Sequence, residues 1–252
     1  MISMPEQLGW ILSPDPTIAI TLGAVFAGSL VSGLAGFAFS AIAGALLLHW
    51  LSPSQAVPLL LACSITCQLF SIAKLRHAMQ WRRCAPFMVG GLAGIPFGAM
   101  LLSSVDGRIF AAGFGGFLVC YSAYMLLRPN VIVQRGGRLV DVAAGFAGGI
   151  TGGAIAFPGA IPTAWCSLRG LSKQEQRGIV QPFILFMQIA TLVYFSRLGI
   201  LGSAAISTYL WCVPAVIGGT WVGVRLFDRI DDARFRRIVL MFLMISGATL
   251  VI

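Results

Sequence analysis

Charge is what this sequence lacks most. Only 10% of its 252 residues are Asp, Glu, Lys or Arg, against about 25% in a soluble domain. From Pro16 to Ala73 there is none at all. No polar stretch is long enough to build a soluble domain. With 58% hydrophobic residues and a mean hydropathy of +0.91, the chain reads as an all-α, polytopic membrane protein. Residues 1–17 contain no Lys or Arg, so they lack the basic start of a cleaved signal peptide.

Metal-ligating residues are scarce too. The six Cys and two His show no metal-binding spacing. Cys63 and Cys67 sit one helical turn apart and read as small apolar residues. His49 and His77 fall at segment ends and read as interfacial residues. All eight acids (Glu6, Asp15, Asp106, Asp141, Glu175, Asp228, Asp231 and Asp232) lie in loops or at segment ends. No carboxylate is expected at midplane depth to carry a coupled proton or bind a cation. No cofactor, metal or catalytic dyad is expected, so the chain does not read as an enzyme. The net charge of +9 reads as a topology signal in loops, not as a nucleic-acid surface.

What is present is glycine and proline in apolar surroundings. The uncharged stretch 142–168 contains GFAGGITGGAIAFPGAIP, with Gly148, Gly149, Gly152, Gly153, Pro158 and Pro162. A broken apolar segment is tolerated in a bilayer only where protein or a cavity satisfies the freed backbone groups. In transporters such breaks mark substrate sites. Helices are expected at 57–73, 85–102, 109–127, 178–196, 203–224 and 238–252, with a connector at 128–141.

The two halves repeat. Phe26-Ala27-Gly28 matches Phe146-Ala147-Gly148, Leu51-Ser52 matches Leu171-Ser172, Gln68 matches Gln188 and Ser71 matches Thr191, all at an offset of 120 residues. Pro86 with Gly90-Gly91 matches Pro214 with Gly218-Gly219 at 128. These glycines, with Gly94, Gly98 and Gly223, read as close helix contacts.

Charge then selects a geometry. If 142–168 crosses the membrane once, Lys and Arg divide 8 to 9 between the sides. If it is a hairpin that enters and leaves on one side, 15 of the 17 fall on the cytoplasmic side. The positive-inside rule favours the hairpin, with arms expected at 142–151 and 155–168. By the repeat, 18–50 is a matching hairpin. The expected architecture is two inverted repeats, 18–127 and 142–252, each one hairpin plus three transmembrane helices. Whether 18–50 is a hairpin or a crossing helix has no charge to decide it.

The hairpin tips would bring helix N-termini, natural anion sites, near the midplane. The expected tips are Gly36, Phe37, Ala38, Phe39 and Ser40 in the first repeat, and Gly152, Gly153 and Ala154 leading to Phe157 and Pro158 in the second. The bland alternative is that these glycines only permit close helix packing. Gln68 and Gln188 fall mid-helix, with Ser71 and Thr191 three residues on along the same face. Buried amides without partners cost several kcal/mol in an apolar medium, so the pair wants a common ligand, and a small oxyanion fits. The alternative is that they glue helices together. Arg169, Lys173 and Arg177 could form a cytoplasmic funnel for anions, or serve only as topology charges.

GLAGFAFSAIAGALLL (33–48), the following LSPSQAVPLLL, and GGITGGAIAFPGAIPTAWCSLRGLSKQEQRGIVQPF (148–183) resemble the sulfite exporter TauE/SafE family. The resemblance covers nearly the whole chain from about residue 20. Many members carry a Gly-Gly-Gly run and a proline in the first half, where Phe37-Ala38-Phe39 and Ile42 stand here. The resemblance implies a duplicated membrane permease for sulfite, sulfonates or related organosulfur anions. The expected activity is export of a small oxyanion across a bacterial inner membrane, with the basic loops cytoplasmic. A passive anion channel and an uptake permease for organosulfur compounds are the alternatives. The partners expected are the oxyanion and the lipid bilayer, and a homodimer is left open.

Overall fold

The computed structural model describes residues 16–36, 38–75, 79–127, 137–201, 203–227 and 232–251. They form ten helices, and no strand occurs among them: α1 (Pro16–Ala35), α2 (Phe39–Leu47), α3 (Pro53–Leu75), α4 (Trp81–Ser104), α5 (Gly107–Leu127), α6 (Arg138–Ile155), α7 (Ala160–Leu168), α8 (Lys173–Arg197), α9 (Ser203–Phe227) and α10 (Asp232–Val251). Five of them, α3, α4, α5, α8 and α9, are long and apolar enough to cross a membrane. Most run beyond the ends expected from hydropathy, because their terminal turns are polar or basic while still helical. Ser172 shows how one such end is stabilised. Its hydroxyl accepts from the Glu175 N–H and its own N–H is met by the Glu175 side chain, a capping box that starts α8.

The centre is made by α3 and α8. Each is 61% buried across its apolar window, against 28–44% for α4, α5 and α9. Around them, close seams join the two halves. α4 lies along α6, α1 along α9, and α5 along α10. Each seam is lined by glycines. A Cβ on Gly94 would strike the Phe146 carbonyl, and one on Gly219 would stand 2.6 Å from the Phe26 carbonyl. Gly98 faces the Ile150 carbonyl as Gly223 faces that of Leu30. Phe146 and Phe26, and Ile150 and Leu30, are each related by the 120-residue offset. The α1–α9 contact is thus the α6–α4 contact with the halves exchanged. Gly247 against the Gly115 carbonyl closes the α5–α10 seam. The outward faces carry large apolar side chains, among them Val89, Ile109, Leu210 and Trp211.

Two helix pairs are shorter and fold back on themselves. α6 breaks into α7, and the chain returns to where it entered. At the far end of the pair the Trp165 indole N–H donates to Asp141 Oδ1 (2.7 Å), and Arg169 Nη1 donates to the same oxygen (3.1 Å). α1 breaks into α2 in the same way, with Gly28 set against Ala43 and Phe39.

The break in the second pair is not where the glycines suggested. Gly152, Gly153 and Ala154 belong to the last turns of α6, which is unbroken from Arg138 to Ile155. The arms are 18 and 9 residues long, about 27 and 14 Å at 1.5 Å per residue, not two equal halves. The reason is packing. Gly145, Gly149 and Gly153 recur every four residues on one face and meet the backbone of α4 at Phe87, Gly91 and Ile95. Gly148 and Gly152 meet Pro162 and Pro158 of the returning arm. A helix keeps such glycines when a neighbour fills the space they leave. The chain turns at Ala156, which takes a left-handed conformation with φ of 55°, just before Pro158, which has no N–H to continue the ladder.

Candidate functional site

The two breaks have the same backbone hand. Gly36 (φ 86°) follows α1, and Ala156 (φ 55°) follows α6. After each, a nine-residue helix begins, at Phe39 and at Ala160. Neither has a side-chain N-cap bond. Ala38, Phe39 and Ser40 are buried at the start of α2, while Phe37 lies outside the described residues. Phe157 and Pro158 are buried in the second break. The Phe157 ring packs edge-on against Tyr121 and Phe117 of α5, with centroids 5.9 and 6.3 Å away. The Thr151 hydroxyl donates to the Phe157 carbonyl at 3.0 Å, which ties that break to its own helix.

The first break is held from outside. Gln68 Nε2 of α3 donates to the Gly36 carbonyl at 3.1 Å. Arg177 Nη2 of α8 donates to the Leu34 carbonyl at 2.7 Å, where a cation suits a helix C-terminus. Gln181 Nε2 stands 2.8 Å from where a Gly36 Cβ would be, and Arg177 Nε 3.5 Å from it. Glycine suits this position because of its positive φ, which L-residues rarely adopt.

Gln68 and Gln188 are both buried, at 1% and 2% exposure, but they use their amides differently. Gln188 Nε2 bonds Ser64 Oγ at 2.6 Å, one turn before Gln68 on α3. Ser71 donates to the Cys67 carbonyl of its own helix at 3.0 Å. Thr191, wholly buried, leaves its hydroxyl without a partner. The amide oxygens of Gln68, Gln181 and Gln188 and the hydroxyl of Ser40 are also buried and unpartnered. Such groups in an apolar interior call for a ligand or water.

The basic residues are used unequally. Arg169 is paired with Asp141, whose side chain is 11% exposed, so its charge is committed within the second hairpin. Arg177 reaches the first break, not a loop. The Lys173 side chain lies outside the described residues, as do His77, the greater part of the 128–141 connector and residues 1–15. Gln181 and Ser64 carry polar atoms at the centre that the sequence reading missed. Gln181 precedes Gln188 by seven residues and Ser64 precedes Gln68 by four, both spacings that keep a face of a helix. Among the described residues, no three His, Cys, Asp or Glu side chains cluster as a metal site would need.

Two helix pairs that fold back, buried polar groups on α3 and α8 and five membrane-spanning candidates define a polytopic membrane protein. The family model for sulfite exporter TauE/SafE matches residues 20–250, and the chain belongs to that family. No curated protein and no solved structure matches it.

Proposed function

We propose that the protein carries a small oxyanion, sulfite or an organosulfonate, outward across a bacterial inner membrane. The observation that carries this reading is the set of buried, unpartnered amide and hydroxyl groups on α3, α8 and α2: Gln68, Gln181, Gln188, Thr191 and Ser40. The Ser40 and Thr191 hydroxyls are uncharged donors, and the Gln188 amide can turn to present its NH2 because Ser64 can donate as well as accept. Such groups bind an oxyanion without holding it too tightly to leave. The family name supports sulfite as the first substrate to try.

The exchanged seams support two repeats of opposite orientation, each a hairpin and three crossing helices, with the hairpins moving against α3 and α8 in alternating access. Among the described residues Asp141 is the one buried carboxylate, and it is paired with Arg169 at the open end of a hairpin. An anion leaving a negative-inside cell gains about 2.3 kcal/mol per charge per 100 mV, so export needs no coupling ion. Purified protein in liposomes loaded with sulfite tests the reading. Slow, saturable efflux above that of protein-free vesicles is expected. Efflux equal to theirs contradicts it, and single-channel currents would favour a passive anion channel.

A further inference from the structure

The Gln68 amide is held in one orientation. A backbone carbonyl only accepts hydrogen bonds, so the group facing Gly36 O must be the NH2. The other end, Oε1, is therefore an acceptor, buried and without a donor. Gln188 is free of that constraint, because Ser64 can donate or accept and lets either end of the amide face the site. Beside Gly36, Gln181 also buries an unpartnered Oε1, and the Arg177 guanidinium stands close by. The first break thus offers, fixed by geometry, a hydrogen-bond acceptor, with the Arg177 guanidinium beside it donating to the Leu34 carbonyl.

Resting on the oxyanion reading above, we infer that the substrate carries a hydrogen-bond donor of its own as well as negative charge. A protonated oxyanion such as hydrogensulfite, or a sulfonate bearing a hydroxyl or ammonium group, meets both demands. A bare sulfonate or sulfate does not. All its exposed oxygens are acceptors, and one of them against Gln68 Oε1 would leave that oxygen desolvated and facing like partial charge. A site built around a substrate hydroxyl rejects the analogue that lacks it far more strongly than an apolar pocket rejects a missing methylene.

Ethanesulfonate and 2-hydroxyethanesulfonate isolate this feature, since they share a charge and differ by one hydroxyl. Thermal shift of the purified protein gives their affinities, and competition against sulfite efflux from liposomes gives their action in transport. The hydroxylated sulfonate is expected to bind and compete roughly tenfold or more better. Q68M is expected to bring that ratio close to one, and Q181M to reduce it. Equal binding of the two sulfonates by the unaltered protein overturns the inference, and so does an unchanged ratio in Q68M. The comparison on the unaltered protein stands even if the variants fail to fold. Absent sulfite efflux with the pair still discriminated in thermal shift counts against sulfite transport alone. Normal efflux with the pair undiscriminated counts against the donor requirement alone.

Discussion

Gly36 and Ala156, 120 positions apart, are the residues at which α1 and α6 end in a left-handed turn, with φ of 86° and 55°. The same break is therefore built twice, once with the residue that suits it and once with one that does not. An L-residue in that region costs about 1–2 kcal/mol, and Ala156 bears the cost in a fully buried position.

That difference predicts opposite responses at equivalent positions. Gly36→Ala places a methyl 2.8 Å from Gln181 Nε2 in a backbone region that disfavours it. It is expected to destabilise the protein by about 1–2 kcal/mol and to reduce flux by displacing Gln181. Ala156→Gly relieves the strained φ and is expected to be tolerated. Thermal melts of both variants in detergent, with flux in liposomes, check this. G36A melting and transporting like the unaltered protein would contradict it.

The glycine seams predict a second contrast. A Cβ at Gly149 would strike the Gly91 carbonyl, whereas one at Gly113 meets nothing within 4 Å. Backbone cannot step aside as a flexible side chain can, so Gly149→Ala is expected to cost roughly 1–3 kcal/mol or more. Gly113→Ala is expected to be neutral or stabilising by up to about 1 kcal/mol. Size-exclusion profiles and melting temperatures measure the difference.

How these glycines were legible shows where sequence reasoning succeeds and where it stops. Their abundance points to an unusual segment, and the offset of 120 pairs positions in the two halves. Reading Gly152 and Gly153 as a break overlooked the four-residue recurrence of Gly145, Gly149 and Gly153, the mark of a packing face on an intact helix. Applied to Gly36, the offset itself leads to Ala156 and the true break. Gln181 and Ser64 were harder to find, because their repeat-related positions are Leu61 and Ile184 and the duplication is silent there. The Asp141–Arg169 pair, 28 residues apart, becomes visible only once the hairpin is folded.

That ion pair carries a third prediction. Asp141 accepts from both Trp165 and Arg169 and joins the two ends of the second hairpin. Asp141→Asn keeps an acceptor for the indole but removes the charge opposite Arg169. A loss of about 1–2 kcal/mol is expected, discounted for the partial exposure of the arginine. Thermal unfolding of D141N, with the Arg169→Gln and double variants to complete the cycle, would show it. Strictly additive losses would mean that the two residues act independently.

The central claim is that the buried amides of α3 and α8 bind the transported anion. Sulfite efflux from liposomes carrying Gln188→Ala tests it most directly, with incorporation and melting temperature measured alongside. Gln188 Nε2 lies 2.6 Å from Ser64 Oγ, and since a hydroxyl can donate or accept, the amide can turn its NH2 toward an anion. The substitution is expected to abolish saturable efflux while the protein still inserts and folds. Efflux from Q188A equal to that of the unaltered protein would contradict the claim.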